Sequence, residues 1–315
     1  FEVFHPEPVL RISEQLAPLK IVLQGRVVYA GRAVVSNLIQ SGTTLVCEAG
    51  LEEILSEAAG TGQPPTGGAR AEFEQFLADS KKNFQVKDSF KLVVADLQVL
   101  LLDLRHWLGR LELNLQSAPP AERALREQEL LEQLQPAVAS TLGMLFEKFE
   151  IAAGQIAAER QPAHRYYVKR QLHPLVLCSP FMYRTFAKPL GYAGDYEMVN
   201  MMTRPPYEGY SLFAKLLNAC FLATAPVVAH QNRIVYLTDL LVQEISRAVR
   251  ARRPARIFNL GCGPAMEVQG FLRANALAQH AEFTLLDFNE ETIQYTGEML
   301  NQAKTRAGRH TPVRM

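Results

Sequence analysis

The sequence predicts a multidomain chain mixing α+β and α/β architecture: a small N-terminal antiparallel β-domain, a helical middle region, and the opening of a doubly wound parallel sheet. Three observations carry that prediction. Runs of Val, Ile, Thr and Tyr punctuated by Gly25, Gly31 and Gly42 fill residues 19–51. Apolar residues with helical spacing follow from Phe90. After Ala255 an apolar strand, a glycine turn, a helix and a second apolar strand succeed one another. At 315 residues the chain is long for one domain, so two or three are expected.

The first domain is expected over residues 1–59, where LKIVLQGRVVYAGRAVVSNL and TTLVCEAGL read as strands. The Gly/Pro/Thr-rich run Gly60–Ala69 marks a linker over 60–70. A helical region is expected over 71–170. Phe90, Val93, Leu97, Leu100, Leu104, Trp107 and Leu111 recur at alternating spacings of 3 and 4, which predicts a heptad seam on one long helix. The break SAPPAE, Ser117 to Glu122, supplies a Ser N-cap and prolines for the first turn of a second helix, with a kink expected at Pro136. Two antiparallel helices packed within the chain are the economical reading; the same seam would serve a dimeric coiled coil, so monomer and dimer both remain open.

The remainder, 171–315, is expected to hold an irregular lid segment, two helices from about Tyr210 and Pro226, and the N-terminal part of the parallel sheet. Only 54 residues follow Gly261, enough for two strands and two helices, so the expectation is that this sheet is incomplete in the chain as given.

Composition narrows the function classes. Hydrophobic residues at 48% and charged residues at 21% exclude wholesale disorder. Lys+Arg 33 against Asp+Glu 32 leave a net charge of +1, which supplies no global field for nucleic acid. The most apolar stretch, Leu216 to Ala229, is broken by Asn218, Thr224 and Pro226 and falls short of the ~18 residues of a membrane span. Cys47, Cys178, Cys220 and Cys262 are far apart, without C-x-x-C spacing, and the opening FEVFHPEP has no signal pattern. Free thiols and a cytoplasmic location are expected. No His and Cys pair has metal-ligand spacing.

The chemistry concentrates where the strand Arg256–Leu260 runs into Gly261-Cys262-Gly263-Pro264-Ala265 and then a helix. Glycines there let a ligand approach the backbone and face the helix N–H groups. Asp287 ends the next strand, 26 residues after Gly261, where a carboxylate can accept from both hydroxyls of a ribose. An adenosine-containing cofactor is therefore expected. A nicotinamide dinucleotide is not, because its G-x-G-x-x-G fingerprint needs glycine where Met266 stands. Cys262 reads as a small filler rather than a nucleophile, and His173, before Pro174, as a loop or packing residue.

IFNLGCGPAMEV with LLDFN resembles motif I and the acidic second-strand residue of class I S-adenosylmethionine-dependent methyltransferases. The family's third glycine is Ala265 here, and its frequent acid two places before the first glycine is Asn259, which cannot pair as a charge with the cofactor's ammonium. KPLGYAGDYEMVN, Lys188 to Asn200, extends the resemblance to a bacterial branch, some members of which are described as making 3-hydroxypalmitic acid methyl ester. The resemblance implies a Rossmann-like domain holding S-adenosylmethionine at Asn259, Gly261, Gly263 and Asp287, with a small-molecule acceptor such as a fatty acid. Tyr192, Asp195 and Glu197 would fold over the cleft as a lid, with Arg184 and Lys188 as cations for an acidic substrate. The plainer reading makes Asp195 the N-cap of a helix from Tyr196 to Met202 and the two cations solvated charges. A carboxylate acceptor is ionised at pH 7 and needs no general base, and no catalytic residue is assigned.

YAGRAVVSNLIQSG resembles a PilZ-like domain. Asn37 and Gly42 match its second motif, but Ile39 replaces the serine and the paired arginines are missing, so cyclic-di-GMP is not an expected ligand. The alternative to an enzyme is a signalling module in which a degenerate PilZ-like domain binds a nucleotide or a partner protein.

Overall fold

The Val-, Ile- and Thr-rich N-terminal text pairs into one antiparallel sheet in a computed structural model that describes residues 2–4, 10, 15–23, 26–41, 44–51, 73–74, 77, 85–115 and 119–315. Its strands are β1 (Glu2–Phe4), β2 (Gln15–Leu23), β3 (Arg26–Ser41) and β4 (Thr44–Leu51), in the order β1-β4-β3-β2. The inward series on β3 runs Ala33, Val35, Leu38, a gap of three where strict alternation gives two. The register shift between Val35 and Asn37 is the cause: one extra residue swaps the faces and returns an apolar side chain to the core. Val35, Leu38 and Cys47 form that core, with Leu10 and Leu16 against it. The expected linker at 60–70, Gly42 and the expected cap Ser117 lie outside the described residues.

Two long helices follow, α1 (Asp88–Leu115) and α2 (Pro120–Gly154), and they pack on each other. The buried face of α1 is Phe90, Val94, Leu97, Leu101 and Leu108. This corrects the expected seam: Trp107 is 39% exposed and Leu108 takes the inward position. LVVADLQVLLLDLRHWLGRL has apolar residues on most faces, so two adjacent heptad registers fit it equally well until a partner helix selects one. Helix α2 begins at Pro120, where a missing N–H costs nothing, and continues unbroken past Pro136.

Residues after Gln171, expected to be irregular, are mostly helical. Helix α3 (Gln161–Val176) passes through Pro174, and α4 (Pro180–Ala187) starts after a short turn. Buried Asn218 on α6 (Leu212–Leu222) holds that turn, its Oδ1 accepting from Ser179 Oγ at 2.8 Å and Phe181 N at 3.0 Å.

The chain divides into two compact units, Phe1–Tyr183 with Tyr207–Cys220, and Arg184–Pro206 with Phe221–Met315. This division differs from the expected boundary at 170/171: residues 171–183 and Tyr207–Cys220 go with the long helices, and Arg184–Pro206 and Phe221–Met315 go with the parallel sheet. The second unit contains α5 (Tyr196–Thr203), α7 (Ala225–Arg250), β5 (Ala255–Leu260), α8 (Met266–Ala274), β6 (Ala281–Leu286), α9 (Glu290–Ala307) and β7 (Val313–Arg314). The strands are parallel in the order β5-β6-β7. Ile245, Phe271, Leu272, Phe283, Leu285 and Leu300 build its core. Alternation along β5 turns Ala255, Ile257 and Asn259 toward that core while Phe258 and Leu260 remain exposed. No single described helix is long and apolar enough to cross a membrane.

Candidate functional site

At the end of β5 the backbone turns through three left-handed residues, Gly261 (φ +66°), Gly263 (φ +49°) and Ala265 (φ +48°). Glycine adopts that conformation without strain; Ala265, N-cap of α8, holds it with a Cβ in place. A Cβ added at Gly261 or Gly263 would meet no atom within 4 Å, so open space lies against this turn. Cys262 N donates to Leu286 O at 3.0 Å and Thr296 Oγ1 donates to Gly263 O at 2.7 Å, which ties the turn to β6 and α9.

Asp287, just beyond β6, completes the arrangement. Its Oδ2 accepts from Gly263 N at 3.0 Å and its Oδ1 from Asn289 N at 3.1 Å. One backbone bond on each oxygen leaves the carboxylate room for further donors. Beside it Phe288 is 77% exposed, an aromatic ring that sequence reading passed over although it directly follows the chemically marked aspartate. Tyr192 lies edge-on to Phe288 with centroids 4.7 Å apart, and its hydroxyl is 3.2 Å from Thr292 Oγ1.

The segment carrying Tyr192 is shaped by Lys188 (φ +46°), Gly191 (φ +82°) and Gly194 (φ +77°), all left-handed. Asp195 then caps α5, accepting from Met198 N at 2.9 Å. The same carboxylate takes Arg184 Nε at 2.8 and 3.1 Å and is 1% exposed. Arg184 and Asp195 thus engage each other, which gives both a structural duty. Glu197 likewise pairs with Arg204 and accepts from Asn200 Nδ2, whereas Lys188 stands exposed on the loop. Tyr196 donates to Glu291 at 2.8 Å and stacks on Tyr295; burial first, then that bond, pushes its hydroxyl pKa up to about 12.

Asn259 donates from Nδ2 to Glu267 Oε1 at 2.8 Å, a partnership that sequence reading missed. The available signal was a carboxylate in the first turn of the helix after a glycine turn. Burial raises the pKa of Glu267 above the usual carboxylate value. Cys262 is buried, and burial, then the negative fields of Asp287 and Glu267, push its thiol up to about 11. His173 lies on α3 in the first unit, its pKa lowered by burial and by Lys169. Among the described residues no three His, Cys, Asp or Glu side chains gather to hold a metal ion.

Together these groups offer a polyhydroxylated, flat-ringed ligand a carboxylate for paired hydroxyls, an open glycine backbone and two aromatic rings. The residues present therefore fit an adenosyl group. No protein-family model, curated protein or solved structure matches the chain.

Proposed function

We propose that the second unit binds S-adenosylmethionine and that the protein is a methyltransferase acting on a small carboxylic acid, with a 3-hydroxy fatty acid as the first acceptor to try. The observation that carries the reading is the carboxylate of Asp287 held by Gly263 N at 3.0 Å, beside the open glycine turn of a parallel β-α-β unit. Asp287 would accept from the ribose hydroxyls, and Phe288 and Tyr192 would offer ring surface to the adenine. When bound, the cofactor supplies a methyl group already activated on a sulfonium centre. The protein's part is then to orient the two partners and exclude water. Arg184 and Asp195 support this by holding the Tyr192 loop in one shape, and exposed Lys188 supplies a cation for an acceptor carboxylate. Cys262 and Tyr196 are protonated well above neutral pH, so neither serves as a nucleophile or base there, which suits an acceptor that is already ionised.

Isothermal titration with S-adenosylmethionine, NAD and cyclic-di-GMP tests the reading. Binding of S-adenosylmethionine is expected, and Asp287→Ala should weaken it at least tenfold, since charge-assisted hydrogen bonds contribute about 1.5–3 kcal/mol each. Unchanged affinity in that variant removes the assignment. A response to cyclic-di-GMP alone would favour the signalling-module alternative.

A further inference from the structure

In the first unit, helices α1, α2 and α3 leave an open cleft of about 420 Å³, within the ~300–1,000 Å³ usual for small-molecule sites. Phe90 of α1, Phe149 of α2, Ile156 just past it and Val168 of α3 give it apolar walls. A buried histidine braces them. His164 accepts at Nε2 from Lys87 N at 3.0 Å and donates from Nδ1 to Arg160 O at 2.8 Å, so both ring nitrogens are committed to backbone. Its ring lies edge-on to Phe90, centroids 5.0 Å apart. The charge on the cleft has one sign. Arg165, Lys169 and His173 border it four residues apart, in one row along α3. Among the described residues lining the cleft there is no Asp or Glu, and α3 carries none while holding Arg165, Lys169 and Arg170. Like charges at this spacing repel, and burial, then the charge of Lys169, lowers the pKa of His173. An anion seated on the row would offset that repulsion. Arg165 Nη2 donates to Gln161 Oε1 at 3.1 Å, which steadies a guanidinium that carries five N–H donors. Apolar walls beside a basic row suit a molecule with a hydrocarbon tail and an anionic head.

We propose that this cleft binds a single-chain amphiphilic anion, a fatty-acid carboxylate, with its tail between Phe90, Phe149, Ile156 and Val168 and its head on Arg165 and Lys169. Every one of these residues belongs to the first unit, so the site is separate from the acceptor position proposed in the second and does not depend on the adenosyl reading.

Three probes separate head from tail: decanoate, 1-decanol, which keeps the chain without the charge, and acetate, which keeps the charge without the chain. Each is titrated calorimetrically into the full chain, and decanoate is expected to bind more tightly than the other two. Arg165→Gln with Lys169→Gln, both at exposed positions, should weaken decanoate about tenfold or more, with 1-decanol binding and melting temperature unchanged. Ala153→Phe, which sets a ring into the cleft from α2, should remove binding of decanoate and 1-decanol alike. If that variant does not fold, Val168→Gln at a half-buried position carries the same test by placing an amide against the tail. Wild-type protein that does not bind decanoate overturns the proposal, and sedimentation with phosphatidylglycerol vesicles in that case would make the basic row a membrane contact instead. Unchanged decanoate affinity in the double variant overturns it too. So does decanoate binding untouched by Ala153→Phe or Val168→Gln, because the ligand would then sit elsewhere, the acceptor side of the second unit included.

Discussion

Asp195 directly follows left-handed Gly194, and Asp287 lies against the left-handed Gly263, yet their surroundings give them opposite duties. Asp195 is 1% exposed, with the Arg184 guanidinium and Met198 N directed at it. Asp287 is half-buried, takes one backbone N–H on each oxygen, and faces the open side of the Gly263 turn. Removing the partner of a buried charge is expensive, because the remaining carboxylate loses its compensation and cannot reach water. Arg184→Met should therefore destabilise the second unit by about 3 kcal/mol, near the low end of the range for buried pairs because Arg184 is itself 22% exposed. Urea denaturation followed by circular dichroism measures this. Asp195→Asn keeps an acceptor for Met198 N but loses the ion pair, so it should also fall well below wild type. A duty confined to helix capping would leave it nearly silent.

Among the elements, α1 is the clearest case of a helix whose buried face is chosen by its partner. Leu108 is fully buried while Trp107, one position earlier and about 100° around the axis, is 39% exposed. Leu108→Ala should cost about 2–5 kcal/mol, the usual range for a buried leucine, and Trp107→Ala less than about 1 kcal/mol. A thermal melt of both variants decides it: a larger loss at Trp107 would return the seam to the register Val93, Leu100, Trp107. Helix α5 shows the reverse situation. Its start at Tyr196 depends on Asp195, an N-cap written into the local sequence, and no distant contact was needed to locate it.

For the molecule as a whole, titratable groups held in their neutral form set an alkaline limit to stability. Burial raises Cys262 to about 11, and Cys220 and Tyr196 to about 12. Each folded value exceeds the unfolded one, so the unfolded chain releases its protons first and rising pH favours unfolding. The contribution of the two thiols is complete below about pH 9 and disappears as pH climbs through 11 to 12. Melting temperature should accordingly fall between pH 9 and 11, and Cys262→Ala should make that fall shallower. An equally steep fall in the variant would mean that Cys262 is not among the groups responsible. The two thiols belong to different units, Cys220 to the first and Cys262 to the second, so alkali weakens both.

What short stretches of chain determine was legible from the residues alone. Strand β5, the left-handed turn at Gly261 and Gly263, helix α8, strand β6 and Asp287 at its end all depend on chemistry within a few residues, and they lie where the text placed them. The cap at Asp195 has the same local origin. Other features needed the folded chain. Helix α3 runs through Pro174 with Leu172, Leu175 and Val176 buried, because packing outweighs one lost backbone bond. The seam of α1 had two equivalent registers until α2 and α3 packed against one of them. Arg184 meets Asp195 across a loop, and Asn259 meets Glu267 across the glycine turn, pairings of side chains 11 and 8 residues apart whose geometry follows from the path of the backbone between them. Propensities and caps act through neighbours along the chain, whereas burial, ion pairing and the choice of helix face depend on what arrives from elsewhere.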